Sequence, residues 1–286
     1  MKAYGATSNE TGSVYSVAAT QGLDCGYLDA DSGKEGNLYT LTQKEPELLG
    51  LKHGEVYPLI VDMLGADKDL SIQVHPQDDY ARQRGFDYGK SESWYFLEAP
   101  TSGSVYGGIQ DDKINTLTDD GLSQDPLGYV GTVEAKVGDY LFVPSGTVHA
   151  IQAGSLVYEI QQATDITYRI YDYDRRGLDG KPRELHVKDA LANLIATNKP
   201  IHRDFKRTGH ADEQAYTLDL LAYNSKNQIS NPTAMAAVFT LISGSLKVQD
   251  TTLYPGSSFM LLPHEDVLVK GDAQGILATP KAYWRE

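Results

Sequence analysis

The chain has 286 residues, one cysteine, and 25 basic against 39 acidic side chains, which give a formal net charge of −14. Its 41% apolar and 22% charged residues are typical of a globular protein. An acidic chain without a run of Lys and Arg is unsuited to nucleic acid, because neutralising phosphates requires a basic face. No apolar run approaches the roughly 20 residues that span a bilayer, so we expect no membrane association. The lone Cys25 and the polar start of the chain predict a cytoplasmic protein.

Short segments of alternating polarity, bounded by Gly, Pro, Asp and Asn, predict an all-β fold in the form of a sandwich or barrel. The 19 tyrosines support this prediction, since aromatic residues are common in strands. The predicted strands are 70–75, 93–97, 131–137, 140–144, 156–161, 236–242 and 258–262. We predict a short helix over 45–51 and a longer one over 183–197, where apolar residues recur with helical spacing. The polar stretch 202–213 then separates two predicted domains, 1–200 and 201–286.

A pattern of turn, strand and turn over 138–149 is the most informative stretch of the chain. Pro144 and Gly146 predict a turn, because Pro fixes φ and Gly permits a positive φ. His149 then begins the returning strand, which would hold its imidazole rigidly. A lone histidine there is also typical of a hydrogen-bonded core residue, so this pattern alone leaves both interpretations open.

Polar residues on two other predicted strands accompany this histidine. Gln73 and His75 are two residues apart, so their side chains share one face of a strand. Glu92 follows on the next strand and adds a carboxylate to the amide and the two imidazoles. This mixed nitrogen and oxygen set suits Zn²⁺ and also accommodates Mn²⁺ or Fe²⁺. The alternative is that they are unrelated polar residues on separate strands.

Four segments in order resemble the type I mannose-6-phosphate isomerases in their short bacterial form. The stretch 138–149 is similar to the second cupin motif, and Gln73-x-His75 with Glu92 resembles the first, with Gln replacing the first His. The matching segments are 70–76, 90–95, 138–149 and 159–176, within a resemblance that covers residues 10–200. It implies two cupin domains with a short helical connection. A metal-binding catalytic domain with a C-terminal helix would span 1–200, and a smaller degenerate cupin-like domain without metal would span 201–286.

The resemblance also implies a reaction and roles for individual residues. Mannose 6-phosphate and fructose 6-phosphate would be interconverted by moving a proton between C1 and C2 through an enediol, with a small-molecule sugar phosphate as the partner and the oligomeric state left open. One zinc ion would be the cofactor. The implied metal ligands are Gln73, His75, Glu92 and His149; the implied catalytic residues are Arg169, Lys90 and Glu159; the implied substrate-binding residues are Ser71 and Arg175.

The residues around Arg169 also permit a simpler interpretation. A strand arginine near several aspartates is typical of an ordinary ion pair, so the pattern alone does not choose between pairing and catalysis. The acidic run Asp172, Asp174 and Asp179 is interpreted as a solvated turn.

The chain departs from the family pattern at two places. Asp62 stands where the family has a lysine on the phosphate side, and Ser13 replaces a site carboxylate in a shortened N-terminal part. These changes keep an alternative open, namely a divergent paralogue with altered sugar-phosphate substrate, low activity or a regulatory sugar-binding role.

Overall fold

The computed structural model describes residues 1–6, 12–177 and 180–285, and strands dominate this part of the chain. The strands are β1 Ser13–Val17, β2 Gly26–Leu28, β3 Glu35–Asn37, β4 Leu59–Gly65, β5 Ile72–Val74, β6 Glu92–Glu98, β7 Ser104–Ile109, β8 Val130–Glu134, β9 Tyr140–Val143, β10 His149–Ala150, β11 Leu156–Gln162, β12 Tyr168–Tyr171, β13 Ile201–Arg203, β14 His210–Asp212, β15 Tyr216–Tyr223, β16 Lys226–Ser230, β17 Ala237–Gly244, β18 Leu246–Val248, β19 Thr251–Leu253, β20 Ser258–Leu261, β21 Asp266–Lys270 and β22 Ala273–Pro280.

The helices are short. They are α1 Leu38–Lys44, α2 Asp78–Arg82, α3 Asp119–Gln124, α4 Pro126–Tyr129, α5 Val187–Asn193 and α6 Phe205–Thr208, with 3-10 turns at Lys2–Tyr4, Pro46–Leu49, Ile114–Thr116 and Tyr283–Arg285. Within the described ranges, no helix has the length and apolar character needed to cross a membrane.

The chain divides into two compact units. Unit 1 comprises Met1–Met63 with Asp204–Glu286, and unit 2 comprises Leu64–Arg203. The division after Arg203 lies close to the predicted boundary at 200, whereas residues 1–63 group with the C-terminal part rather than with 64–203. A unit assembled from both ends of the chain leaves no signal in local composition, so the sequence analysis treated residues 1–200 as continuous.

Unit 2 contains two antiparallel arrangements of strands. One has the order β12, β5, β10, β7, β8, and in the other β11, β6, β9 and β13 follow one another. Apolar side chains of the first arrangement, among them Ile72 and Val74, form a buried cluster with Ile170. Trp94, Phe96 and other residues of the second arrangement form another. Because side chains alternate along a strand, the polar residues between these apolar ones point to the opposite face.

Unit 1 also contains two antiparallel sheets. They have the orders β14-β15-β22-β17-β20 and β16-β21-β18-β19. Phe239 on β17 and Ile229 on β16 belong to one buried apolar cluster of this unit.

All seven predicted strands are present, with ends shifted by at most three residues. The predicted helices are shorter than expected. The helix over 45–51 is a 3-10 turn at Pro46–Leu49, and the helix over 183–197 is only Val187–Asn193. Residues 183–186 instead run along β12, where the amide of His186 donates to the carbonyl of Arg169 at 2.7 Å. Tertiary hydrogen bonds thus replace the first helical turn.

Candidate active site

Three buried side chains of unit 2 converge on one point. His75, Glu92 and His149 are each at most 2% exposed, and one ligand atom from each lies within 4.8 Å of the others. Glu92 Oε2 is 3.1 Å from His75 Nε2, and Glu92 Oε1 is 3.2 Å from His149 Nε2. His75 follows β5, Glu92 begins β6 and His149 begins β10, so both strand arrangements contribute to the group.

Backbone carbonyls orient both imidazoles. His75 Nδ1 lies 2.9 Å from the carbonyl oxygen of Ile166, and His149 Nδ1 lies 2.9 Å from that of Thr147. A carbonyl oxygen can only accept, so each Nδ1 carries a proton, and in a neutral imidazole Nε2 then presents a lone pair toward Glu92. Buried lone pairs facing a carboxylate repel one another, and a cation between them removes that repulsion.

Two further features fit a metal ion. His75 Nε2 is a buried polar atom without a hydrogen-bond partner among the described residues. Burial and the nearby Lys90 lower the pKa of His75 to about 3, so this imidazole is neutral at physiological pH. Neutral imidazole is the form that binds metals, and His with carboxylate is a common donor set for divalent ions. These residues therefore form a site that could hold a divalent metal.

Gln73 and Ser71 lie against this group. Gln73 pairs with His149 across β5 and β10, and its side-chain amide is 3.4 Å from His149 Nε2. Ser71 Oγ donates to Gln73 Oε1 at 3.2 Å. Rotation of the amide by a half turn exchanges its NH₂ and carbonyl oxygen and would direct the oxygen at the metal position. The structure thus brings five of the predicted site residues together in space, namely Ser71, Gln73, His75, Glu92 and His149.

Lys90 is adjacent to the carboxylate of the group. Its Nζ is 3.8 Å from Glu92 Oε2, and the residue is only 9% exposed. The preceding residue, Gly89, packs closely against the backbone of residues 76–78, since a Cβ at this position would lie 2.7 Å from that backbone. This close packing fixes the backbone from which the Lys90 side chain extends toward Glu92.

Glu159 lies on β11, the strand that pairs with β6. It pairs with Trp94 across β11 and β6, while Gln161 pairs with Glu92. Paired residues project to the same face of a sheet, so Glu159 shares a face with Glu92. Trp94 Nε1 donates to Glu159 Oε1 at 2.8 Å, and Gln161 Nε2 donates to Glu159 Oε2 at 3.0 Å. The same indole ring is 5.6 Å from the His149 ring, between centroids.

Arg169 is placed by strand register. It pairs with Gln73 across β12 and β5, so both side chains lie on the face that carries His149. Arg169 Nε is buried and has no hydrogen-bond partner among the described residues. The ordinary ion pair that the sequence also permitted is not present at this atom. Burial lowers the pKa of Arg169, with Arg183 the next contributor.

Arg175 belongs to a separate ion cluster of unit 2. Its guanidinium contacts Asp172 rather than the His–Glu–His group. The interpretation of Asp172 as part of a solvated turn is wrong, because the residue is only 5% exposed and also accepts from Arg183. Asp174 is exposed, and Asp179 lies outside the described residues. Three residues near these side chains are not among those predicted from the sequence. They are Arg183, which pairs with Asp172, and Trp94 and Gln161, which donate to Glu159.

The two departures from the family pattern lie in unit 1. Asp62 on β4 is fully buried, and Ser13 begins β1. Burial raises the pKa of the Cys25 thiol, and the carboxylates of Asp24 and Asp62 raise it further.

The strand-rich fold and the buried His–Glu–His group define a protein with a candidate divalent-metal centre in a β-sheet unit. No protein-family model matches the chain. It is 35% identical over 251 residues to the probable mannose-6-phosphate isomerase GmuF of Bacillus subtilis, covering 85% of this chain and 78% of that protein. It is 38% identical over 203 residues to the mannose-6-phosphate isomerase ManA of the same organism, covering 69% of this chain and 62% of the relative.

Comparison with solved structures finds proteins of similar fold. The mannose 6-phosphate isomerase from Bacillus subtilis superposes with a TM-score of 0.82 at 28% identity, covering 97% of this chain and 93% of that one. A protein described as a putative mannosephosphate isomerase from Archaeoglobus fulgidus, at 17% identity, shares the fold with a TM-score of 0.77 over 98% of this chain and 91% of its own. The chain belongs to the mannose-6-phosphate isomerase family.

Proposed function

We propose that this chain interconverts mannose 6-phosphate and fructose 6-phosphate at the site around Glu92, with a divalent metal held by Gln73, His75, Glu92 and His149. The observation that carries this proposal is the buried group of Glu92 and two Nε2 lone pairs, with Arg169 on the same face as Gln73. The names of the relatives support this reaction and do not favour a divergent paralogue.

Gln73, His75, Glu92 and His149 would hold the ion, which would supply Lewis acidity toward the carbonyl or hydroxyl oxygen of the opened sugar. Zinc is the metal we propose, because two imidazoles, a carboxylate and an amide oxygen form a mixed nitrogen and oxygen set. Mn²⁺ and Fe²⁺ suit the same donors. The backbone acceptors of Ile166 and Thr147 keep each Nε2 lone pair available to the ion.

Proton transfer between C2 and C1 requires a group that takes a proton and returns it. Lys90 and Glu159 are the two candidates, one at 3.8 Å from the Glu92 carboxylate and the other on the same sheet face as Glu92. Glu159 is oriented by donors from Trp94 and Gln161, so its carboxylate is held in one position. A fixed carboxylate loses little orientational freedom on reaching the reactive geometry.

Arg169 would stabilise the negative charge that develops on the substrate oxygen during enolisation. A guanidinium remains protonated throughout such a reaction, and the buried Nε of Arg169 has no partner among the described residues. Donors that are fixed before the reaction contribute most to transition-state stabilisation in a dry site. Ser71 orients the Gln73 amide and, with Arg175, would contact the substrate.

We further propose that the fold is a pair of cupin domains, with the reaction confined to unit 2. Support comes from the paired sheet arrangements in each unit and from the motif at 138–149, which delivers His149 to the site. Residues 201–286 would then act as a smaller, metal-free cupin-like domain with a packing role.

The experiment is an assay of fructose 6-phosphate formation from mannose 6-phosphate by the metal-loaded protein. The proposal expects turnover that chelation abolishes and that added Zn²⁺ restores. A protein that contains one metal ion per chain and converts none of this substrate would overturn the proposed reaction.

A further inference from the structure

Asp172 is a buried carboxylate shared by two arginines. Its Oδ1 accepts from Arg175 Nε at 3.1 Å and Nη2 at 2.5 Å. Arg183 donates through Nε to Oδ2 at 2.5 Å and through Nη2 to Oδ1 at 2.5 Å. Each guanidinium therefore presents its Nε side to the same carboxylate. Burial opposes ionisation, but the two arginines keep the pKa of Asp172 below its usual value.

The backbone between Asp172 and Arg175 is bent into an unusual turn. Tyr173 and Asp174 have φ of 55° and 54°, and the amide of Arg175 donates to the carbonyl of Asp172 at 3.0 Å. Turns with two successive positive φ values normally contain Asn and Gly. Tyr and Asp each adopt this left-handed conformation at an energetic cost, because their Cβ approaches the following carbonyl oxygen. The turn folds Arg175 back over Asp172, and the ion pair then holds it there.

The two arginines of this cluster are partly exposed to solvent, whereas the aspartate is buried. The side chains of Arg175 and Arg183 are 26% and 36% exposed, whereas that of Asp172 is 4% exposed. Because Nε and Nη2 are used on Asp172, the Nη1 groups are left for another acceptor, and neither contacts one among the described residues.

Arg169 adds a third positive charge close to this pair. The charges of Arg175 and Arg183 both affect the Arg169 guanidinium, as does the carboxylate of Asp172. Three guanidiniums and one buried carboxylate leave an excess of two positive charges, and the other acid near Arg169, Asp165, is exposed to water. This excess matches the charge of a phosphate dianion.

We propose that Asp172 is a positioning residue that holds Arg175 and Arg183 side by side as a rigid anion subsite for the phosphate group of the substrate. Arg183 thereby becomes a phosphate-binding residue together with Arg175. Two pre-oriented guanidiniums bind phosphate with little loss of side-chain entropy. This inference rests on the proposed isomerase function, because the phosphate belongs to the sugar phosphate bound beside Arg169.

The test compares four variants of the full, metal-loaded protein, one of which is the charge-conserving Arg183→Lys. Asp172→Asn removes the shared charge, and Arg183→Gln removes one arm while leaving the carboxylate in place. Asp79→Asn is the matched control, since Asp79 pairs with Arg82 three residues on, as Asp172 does with Arg175, but is 92% exposed. The measurements are KM and kcat for mannose 6-phosphate, calorimetric binding of inorganic phosphate, metal content and thermal midpoint.

We expect Asp172→Asn and Arg183→Gln to raise KM and the dissociation constant of inorganic phosphate about 10- to 100-fold, with kcat changed far less. Arg183→Lys should recover part of the loss, and Asp79→Asn should behave as wild type. Unchanged phosphate affinity in Arg183→Gln would overturn the proposal, even if Asp172→Asn fails to fold. Weakened phosphate binding in a protein that lacks isomerase activity would support the subsite and refute only the proposed reaction.

Discussion

Arg169 lies directly opposite Gln73 on neighbouring antiparallel strands, and Gln73 lies directly opposite His149 on the next strand. The three side chains therefore form one row across the sheet of unit 2 and share a face. Register fixes this row, so strand pairing rather than a loop places Arg169 on the face that carries Gln73 and His149. The register shifts at an irregularity between Arg169 and Tyr171, after which Tyr171 pairs with Ile72.

Replacing Arg169 by Ala should lower kcat about 10²- to 10³-fold, because a fixed positive charge at the developing oxyanion is lost. Metal content should stay at the wild-type level, since Arg169 is not among the proposed ligands. Steady-state kinetics and elemental analysis of the same preparation measure both. Arg82→Ala is the control, because the partly exposed side chain of Arg82 pairs, among the described residues, with Asp78 and Asp79. Wild-type turnover in the Arg169 variant would remove this residue from the mechanism.

Replacing His149 by Ala should remove the metal and the activity together. The variant loses one of two Nε2 donors and leaves Glu92 with one imidazole partner. We expect metal affinity to fall at least about 100-fold, because loss of a ligand should cost more than loss of a residue that only hydrogen-bonds to a ligand. His210→Ala serves as a control, since this exposed histidine pairs with Asp219 in unit 1. Full metal occupancy in His149→Ala would contradict the assigned ligand set.

Replacing Trp94 by Phe tests whether Glu159 must be held in place. Phe preserves most of the buried packing but removes the indole donor that lies 2.8 Å from Glu159 Oε1. Turnover should fall about tenfold with the metal retained, since misplacing a catalytic group by a fraction of an ångström is costly. Trp94 is buried in the core, so the thermal midpoint is measured alongside. An unaltered kcat would show that the carboxylate needs no such support.

Most of the site could be predicted because its signals are local in the sequence. The spacing of two between Gln73 and His75 predicts that their side chains share one face of a strand. The turn residues Pro144 and Gly146 predict the start of the strand that carries His149. Each of these residues lies where the pattern indicated.

The remaining features depend on contacts that local patterns do not encode. The acidic side chain of Asp172 predicts exposure to solvent. The residue is buried instead, and its carboxylate accepts from Arg183, eleven residues further along the chain. The early end of the predicted helix over 183–197 has the same origin, because the backbone of His186 bonds to β12 instead of continuing a helix. Unit 1 joins both ends of the chain, which no composition window detects.

Replacing Glu55 by Gln should destabilise unit 1 in a pH-dependent manner. Glu55 accepts from Trp284 Nε1 at 3.0 Å and from Arg285 Nε at 2.8 Å. Burial opposes its ionisation, but hydrogen bonds from Arg285, from the backbone of Lys52 and from Trp284 lower its pKa from 4.5 to about 2. A depressed carboxyl pKa contributes stability above pH 4.5, and this contribution is lost as the pH falls toward 2.

Urea denaturation at several pH values measures this effect. At pH 7 the variant should lose about 1–3 kcal/mol, the range for hydrogen bonds to a charged group. The difference from wild type should narrow as the pH falls below 4.5. Glu45→Gln is the control, because Glu45 forms only an exposed pair with Lys34 at 3.7 Å. A difference that is constant with pH would show that the charge of Glu55 does not stabilise the fold.

The most direct test is a titration of the chelated protein with Zn²⁺, in which bound metal and the rate of mannose 6-phosphate isomerisation are measured on the same samples. We expect turnover to rise in proportion to bound metal and to reach a plateau at one ion per chain. In His149→Ala we expect neither bound metal nor turnover to rise. Full turnover in the metal-free protein would show that the reaction does not depend on a metal.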